Sequence, residues 1–169
     1  GCALRGERGV IFVTVGTQLP FDRLVRVVDE WAARTGRRDV FAQVGRGGAR
    51  PSHIDWKEHI EPTEFETRSR EATAIIGHAG IGSILAALRY RRPIVIMPRL
   101  ARHGEHRNDH QLATARHFAN RPGILVAMDE RELAERLDQL ESATPGEPLP
   151  EFAQERLLDC VRTFIGVTS

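Results

Sequence analysis

The chain of 169 residues is poor in cysteine, in aromatic residues and in net charge. Its two cysteines, Cys2 and Cys160, are too few for a framework of disulfides and are typical of a reducing cytoplasm. A net charge of +1 argues against a dedicated nucleic-acid-binding protein. The longest stretch without a formal charge, Ala72–Leu88, contains three glycines and a histidine, so the sequence predicts no membrane span.

The charge is unevenly distributed along the chain. Residues 89–107 carry six arginines and one glutamate, a local charge of +5. Residues 129–159 carry ten acidic residues and three arginines, a local charge of −7. A basic middle and an acidic C-terminal part indicate an anionic ligand or surface near the middle, although two solvated helix faces would give the same pattern.

Apolar runs alternate with segments of helical spacing and predict an α/β fold with a parallel sheet. Strands are predicted at 10–15, 40–44, 73–76, 94–97 and 124–126. Helices are predicted at 21–31, 81–88, 112–118, 129–140 and 157–165, and a short helix is predicted to begin at Thr63. Residues 52–60 are ambiguous and open to a short strand. Thr63 with Glu66 and Asp129 with Glu132 have the spacing of capping boxes.

We divide the chain into three parts. Residues 1–9 have no periodicity and are predicted to be disordered or derived from an expression vector. Residues 10–144 form the predicted domain. Residues 145–169 begin with a segment that contains three prolines, Pro145, Pro148 and Pro150, and are predicted to be a linker and a C-terminal helix.

Ligands of open parallel sheets bind beyond the carboxyl ends of the strands. Three segments of this chain are predicted to lie there: residues 16–18, 77–83 and 99–111. The most informative is Gly77–Ser83, in which glycines let the backbone approach a ligand and a helix follows at once. Free N–H groups and the positive end of the helix dipole make this turn an anion site suited to a pyrophosphate, with Ser83 and His78 adding donors. A plain strand-to-helix turn is the alternative. The dinucleotide fingerprint and the P-loop motif do not match here.

The segment that follows the strand at 94–97 is unusually polar. Residues 99–111 contain three histidines, Glu105 and Asp109, which could be a metal cluster, a ligand-binding loop or a solvated loop. Carboxylates and amides accept and donate hydrogen bonds in the pairs that sugar hydroxyls need, so we favour a hydroxyl-rich ligand and predict no metal.

Three segments, in their order and spacing, resemble the donor-binding C-terminal half of GT-B glycosyltransferases of family 28. They are residues 13–17 (VTVGT), 77–83 (GHAGIGS) and 109–111 (DHQ), and the resemblance covers about residues 10–140. Within the family, the likeness is to small soluble subunits of split transferases, those of bacterial exopolysaccharide synthesis and of the eukaryotic dolichol-linked pathway. It implies a Rossmann-like, doubly wound parallel sheet that forms one half of a GT-B fold.

The resemblance implies a UDP-sugar as substrate, no cofactor and an inverting transfer with no assigned catalytic residue. The donor diphosphate and nucleotide would be bound by Gly16, Thr17, His78, Ala79, Gly80, Gly82 and Ser83. The donor sugar or ribose would be bound by Glu105, Asn108, Asp109, His110 and Gln111. Related enzymes carry an acid three residues after the loop serine, where this chain has Ala86, and we expect Glu105 to substitute for it.

A complete GT-B enzyme has two such domains, and this chain has room for one. The resemblance therefore implies a membrane-anchored partner chain that binds a lipid-linked acceptor, and a peripheral location at the cytoplasmic face of the membrane. Arg89, Arg91 and Arg92, or the acidic C-terminal helix, are candidate docking surfaces. The isolated chain is a possible homodimer. The alternatives are a non-catalytic nucleotide-sugar-binding subunit and a metal-dependent hydrolase.

Overall fold

A computed structural model describes residues 9–119, 121–140 and 159. The helices are α1 (Asp22–Thr35), α2 (Pro62–Glu71), α3 (Ile81–Arg89), α4 (His110–Phe118) and α5 (Glu130–Gln139). The strands are β1 (Ile11–Thr14), β2 (Val40–Gln43), β3 (Asp55–Lys57), β4 (Ala74–His78), β5 (Ile94–Met97) and β6 (Ile124–Val126).

The strands form one parallel sheet in the order β3-β2-β1-β4-β5-β6. The chain runs outward from β1 to β3 and then returns to the other side of β1 for β4, so the direction of winding reverses between β1 and β4. At this position Thr14 lies opposite Gln43 on one side and Gly77 on the other. The loops that follow β1 and β4 therefore diverge and leave a crevice at the carboxyl edge of the sheet.

Both faces of the sheet are covered, because alternate side chains of each strand enter two separate cores. On one face, Ile11 and Val13 pack with the apolar sides of α1 and α5, which contribute Leu24, Val28, Leu133 and Leu137. On the other face, Phe12 and Ile75 pack with residues of α3 and α4, among them Ile84, Ala87, Ala115 and Phe118. The predicted Rossmann-like, doubly wound fold is confirmed.

The strands at 94–97 and 124–126 have the predicted bounds, and the ambiguous segment 52–60 contains β3. The predicted capping box of Thr63 and Glu66 is wrong. Helix α2 begins at Pro62 after Glu61, and no side chain caps it. The fixed φ of proline suits the first helical position, which already lacks a partner for its N–H group.

The predicted Asp129 cap is confirmed at the start of α5, and the reciprocal bond of Glu132 reaches Met128 N, one residue before the N-cap. The Asp129 carboxylate accepts a hydrogen bond from Glu132 N at 2.8 Å, and Glu132 Oε2 accepts one from Met128 N at 2.8 Å. Two main-chain donors at the helix end are thereby satisfied.

The predicted N-terminal segment 1–9, except Gly9, lies outside the described residues, as does the C-terminal helix at 157–165, except Asp159. The three-part division of the chain stays a prediction. Among the residues with described coordinates, no helix combines the length and apolarity that a membrane span requires.

Replacement of the cap gives a test of how α5 is held. We expect Asp129→Ala to lower the free energy of unfolding by about 1 kcal/mol, because it leaves the Glu132 N–H without its acceptor. Urea titration followed by circular dichroism measures the change. Asp129→Asn, which keeps a capping oxygen, is the control and should stay close to wild type. Equal loss in both variants would contradict the capping role.

Candidate functional site

A cavity of about 500 Å³ lies at the carboxyl edge of the sheet, over the crevice between β1 and β4. It brings together three sequence-distant segments: the loop after β1, the turn from β4 into α3 and the loop after β5. The predicted site residues that line it are Gly16, Thr17, His78, Gly80, Gly82, Ser83, Glu105 and Gln111.

The N-terminus of α3 opens into this cavity. The first hydrogen bond within the helix runs from Ile84 N to Gly80 O, and no side chain caps the helix. The N–H groups of the first turn are therefore available to a ligand. A Cβ atom added to Gly82 would meet no other atom within 4 Å, so the space in front of this turn is open.

The imidazole of His78 forms the floor between the first two loops. It fits there because Gly16 and Gly80 have no side chains: a Cβ at Gly16 would lie 2.8 Å from His78 Nε2, and one at Gly80 would overlap the ring. Gly16 also has φ of +82°, a conformation that favours glycine. The two glycines thus accommodate the histidine in addition to shaping the turns.

The hydrogen bonds of His78 determine its tautomer. The Nδ1 atom lies 3.4 Å from Arg99 Nε and 3.0 Å from Gln111 Nε2. Arginine Nε always donates, and the Gln111 amide is oriented by its Oε1, which accepts from Arg99 N at 3.1 Å. The Nδ1 atom is therefore an acceptor, and the proton of the neutral ring is on Nε2. Burial, together with the positive charge of Arg99, lowers the pKa of His78 to about 3, so the ring is neutral at physiological pH.

Gln111 was predicted to reach the hydroxyls of the donor sugar. In the structure its side chain lies at the cavity wall, and both ends of its amide are engaged, one with Arg99 N and the other with His78. These contacts orient His78, and the predicted contact of Gln111 with the donor sugar stays a prediction.

Arg99, which the motif analysis did not assign, connects the three loops. Its side chain is buried, and the whole residue is only 2% exposed. The guanidinium donates to the carbonyl oxygens of Val15, Pro20 and Glu105. Burial lowers the pKa of Arg99 to about 10, which leaves it charged at neutral pH.

Glu105, the predicted substitute for the ribose-binding acid, is buried and paired with Arg23 of α1. Its Oε2 accepts from Arg23 Nε at 3.0 Å and its Oε1 from Arg23 Nη2 at 2.9 Å. Oε1 also accepts from Leu100 N at 3.0 Å. These contacts fix the loop after β5 to the first turn of α1, and the predicted ribose contact of Glu105 stays a prediction.

The remaining predicted residues lie outside the cavity lining. Ala79 is buried, and its N–H donates to Met97 O. Asp109 accepts from Ala101 N at 2.9 Å and Asn108 accepts from His110 N at 3.0 Å, so both order the polar loop. His110 begins α4 and is exposed.

Gln43 is a second functional residue that the sequence analysis missed. It is 6% exposed, and its Oε1 accepts from the Thr14 hydroxyl at 2.9 Å and from Val15 N at 3.2 Å. Its Nε2 donates to Gly16 O at 3.0 Å and to Glu58 O at 3.3 Å. It therefore holds the loop after β1 against the loop after β3. A polar amide at the end of an otherwise apolar strand was the signal that could have identified it.

The wall opposite β5 comes from the β3–α2 connection and from α2, which the sequence analysis left unassigned. It includes His59, Ile60, Pro62, Phe65 and Glu66. The apolar side chains among them give this end of the cavity a surface suited to a planar ring.

Ala86 lies on α3, and the three arginines of the predicted docking surface lie at the C-terminal end of this helix and just after it. Ala86 is buried and lies outside the cavity lining, which agrees with the absence of a ligand-binding acid there. Arg89 and Arg91 are exposed, whereas Arg92 donates to Arg70 O at 2.8 Å. Their docking role stays a prediction.

The histidine-rich loop does not assemble a metal site in the part of the chain that the structure covers. No group of three or more His, Cys, Asp or Glu side chains is placed there to hold an ion. The geometry therefore gives no support to the metal-dependent hydrolase.

Comparison with known sequences shows the family. The sequence model of the glycosyltransferase family 28 C-terminal domain matches residues 10–149, and the chain belongs to this family. It is 29% identical over 136 residues to the UDP-N-acetylglucosamine transferase subunit ALG13 of Yarrowia lipolytica. The match covers 71% of this chain and 65% of that protein, so the chain spans about two thirds of the relative's length.

Solved structures show the same fold. An NMR structure of ALG13 superposes with a TM-score of 0.62 at 20% identity, covering 90% of this chain and 96% of that one. A UDP-GlcNAc 2-epimerase of Methanocaldococcus jannaschii, in complex with UDP-GlcNAc and UDP, gives 0.59 at 9% identity, covering 92% and 45%. These likenesses establish the Rossmann-like fold and, by themselves, no activity.

The neutral state of His78 has a measurable consequence. Its pKa is lower in the folded chain than the ordinary value of 6.5, so between about pH 6.5 and 3 the unfolded state takes up a proton that the folded state does not. We expect this residue to contribute stability above pH 6.5 and to lose that contribution as the pH falls, with a slope of at most about 1.4 kcal/mol per pH unit.

NMR titration of the ring measures the effect directly, and no titration of His78 is expected between pH 8 and 5. The pH dependence of unfolding should also be weaker in His78→Gln than in wild type. A midpoint near 6.5 for His78 would contradict the environment described above.

Proposed function

We propose that the cavity binds the UDP part of a UDP-sugar and that the chain is the donor-binding subunit of a glycosyltransferase. The observation that carries this proposal is the open N-terminus of α3, which faces a cavity whose floor is His78 and Arg99. Membership of family 28 and the likeness to a UDP-N-acetylglucosamine transferase subunit support it.

The diphosphate is the part of the donor that suits the turn between β4 and α3. Main-chain N–H groups and the helix dipole favour an anion there, and the Nε2–H of His78 adds a donor. The floor also has positive charge, since the Arg99 guanidinium is bound by uncharged main-chain carbonyl oxygens, whereas the buried carboxylate of Glu105 is paired with Arg23. Such a site stabilises the charge that develops on a UDP leaving group.

The base and the sugar would occupy the two ends of the cavity. Ile60 and Phe65 offer an apolar surface on which a uracil ring packs. The donor sugar then lies toward Thr17, Gln18 and His106, at the rim formed by the loops after β1 and β5. His78 is not suited to act as the general base, because a pKa of about 3 makes the ring a poor proton acceptor at neutral pH.

We further propose that the acceptor and the catalytic base are supplied by a membrane-anchored partner chain. The transfer would be inverting, with a lipid-linked acceptor, in exopolysaccharide or glycolipid synthesis at the cytoplasmic face of the membrane. The chain offers a donor site on one domain, and a GT-B reaction needs an acceptor domain opposite it. A homodimer of the isolated chain, formed through the surface meant for the partner, is part of the same proposal.

Binding of UDP tests the site itself. We expect wild type to bind UDP at least tenfold more tightly than uridine, because the α3 turn contributes only when phosphates are present. Gly82→Trp should remove measurable binding, since the indole would occupy the open space in front of the helix. Isothermal titration calorimetry measures both.

Glu135→Trp, an exposed position on α5 outside the cavity lining, is the control for a surface tryptophan and should bind UDP as wild type does. Wild-type protein that shows no UDP binding at millimolar concentration would overturn the proposal.

Reconstitution tests the transfer. Membranes from source cells that lack this chain are mixed with purified wild type or Gly82→Trp and a radiolabelled UDP-sugar, and label in the organic-solvent extract is counted. We expect wild type to restore transfer and Gly82→Trp to fail. Full activity with Gly82→Trp would instead indicate a non-catalytic subunit, and transfer by the purified chain alone would contradict the need for a partner.

A further inference from the structure

Two carboxylates line the cavity, and they differ in how far their oxygens are engaged. Glu105 has both oxygens bound by Arg23 and accepts a third hydrogen bond from Leu100 N. Glu66 accepts from the Tyr90 hydroxyl at 2.5 Å through Oε2, and Arg89 Nη1 lies 3.7 Å from the same oxygen. Its Oε1 has no hydrogen-bond or ion-pair partner among the residues that the structure describes, and 45% of its side chain is exposed.

Glu66 lies beside α3, along the side of the helix that begins in the cavity. Gly82, Ala86 and Tyr90 follow one another at intervals of four residues and so share one side of the helix. The first lines the cavity and the last holds Glu66. Between them, Ala86 presents only a methyl group. The side of α3 that carries Gly82, Ala86 and Tyr90 therefore has no carboxylate from α3 itself, and Glu66 of α2 places one beside it.

We propose that Glu66 is the carboxylate that binds the ribose of the donor nucleotide, accepting hydrogen bonds from its vicinal hydroxyls. This rests on the proposed function, which places the diphosphate at the N-terminus of α3 and the base against Ile60 and Phe65. The ribose connects these two parts and lies between them, where Glu66 follows Phe65 on the same cavity wall.

The chemistry of the group suits this role. A carboxylate accepts hydrogen bonds from two neighbouring hydroxyls at once, and bonds to an ionised acceptor are stronger than neutral ones. The Tyr90 hydroxyl holds one oxygen in place, so little rotational freedom is lost when ribose binds. Tyr90 is then a positioning residue for Glu66.

The test compares UDP with 2′-deoxy-UDP by calorimetry in wild type, Glu66→Gln and Tyr90→Phe. We expect wild type to prefer UDP by about tenfold. Glu66→Gln should bind UDP about tenfold more weakly and lose the preference for the 2′-hydroxyl. Tyr90→Phe should show a smaller loss of both. Glu71→Gln, an exposed acid on the same helix outside the cavity, is the matched control and should behave as wild type.

The outcomes separate this proposal from the proposed function. UDP binding that is unchanged in Glu66→Gln, or weakened equally for UDP and 2′-deoxy-UDP, overturns the ribose contact and leaves the donor site intact. An effect seen only with a UDP-sugar, and not with UDP, assigns the carboxylate to the sugar and also overturns it. Failure of wild type to bind UDP overturns the proposed function. Thermal unfolding of each variant establishes that the compared proteins are folded.

Discussion

The buried guanidinium of Arg99 is the interaction on which the geometry of the cavity depends. It donates to three carbonyl oxygens and to the Nδ1 of His78, and these acceptors come from the loop after β1, the end of β4 and the loop after β5. The guanidinium thereby connects these three segments in one arrangement. Loss of the cation would leave several buried acceptors unpaired, which costs more than the loss of any single hydrogen bond.

The positive charge of Arg99 also determines the protonation state of His78. A second positive charge 3.4 Å from Arg99 would be repelled in a region with little water, so His78 is neutral and its Nδ1 is an acceptor. The remaining proton is on Nε2, on the side of Gly16 and Gly80. Gln111 adds a hydrogen bond that keeps the ring in this orientation. The glycine turn that contains His78 therefore also belongs to a hydrogen-bond network with Arg99 and Gln111. This network determines which ring nitrogen of His78 carries the proton.

The sequence predicted the sheet well because most strands are covered on both faces and appear as continuous apolar runs. It left the segment that contains β3 ambiguous, because this three-residue edge strand (Asp55–Lys57) has two exposed ends and no such run. It also placed the start of α2 at a capping box where Pro62 begins the helix.

For the cavity, local sequence identified the glycine turn, since the strand, the glycines and the helix are contiguous. It could not identify Arg99, whose acceptor Val15 is 84 residues away, or Arg23, 82 residues from Glu105. Such partners are determined by the tertiary fold, and no spacing rule applies to them.

The cavity has two halves, one formed by the loops after β1, β4 and β5 and the other by the β3–α2 connection and α2. The half proposed to bind the diphosphate includes the glycine turn and the N-terminus of α3, and binding by main-chain N–H groups tolerates wide sequence change. A UDP-GlcNAc 2-epimerase with 9% identity has this same fold, which shows that the fold alone does not define the reaction.

The half formed by the β3–α2 connection and α2 consists of side chains, among them Ile60, Phe65 and Glu66. Under the proposed function, selectivity for one nucleotide comes from this half, because main-chain N–H groups bind any phosphate equally well. The assignment to a glycosyltransferase family therefore rests on the sequence match, and the proposed selectivity for the donor rests on the wall that local motifs did not reveal.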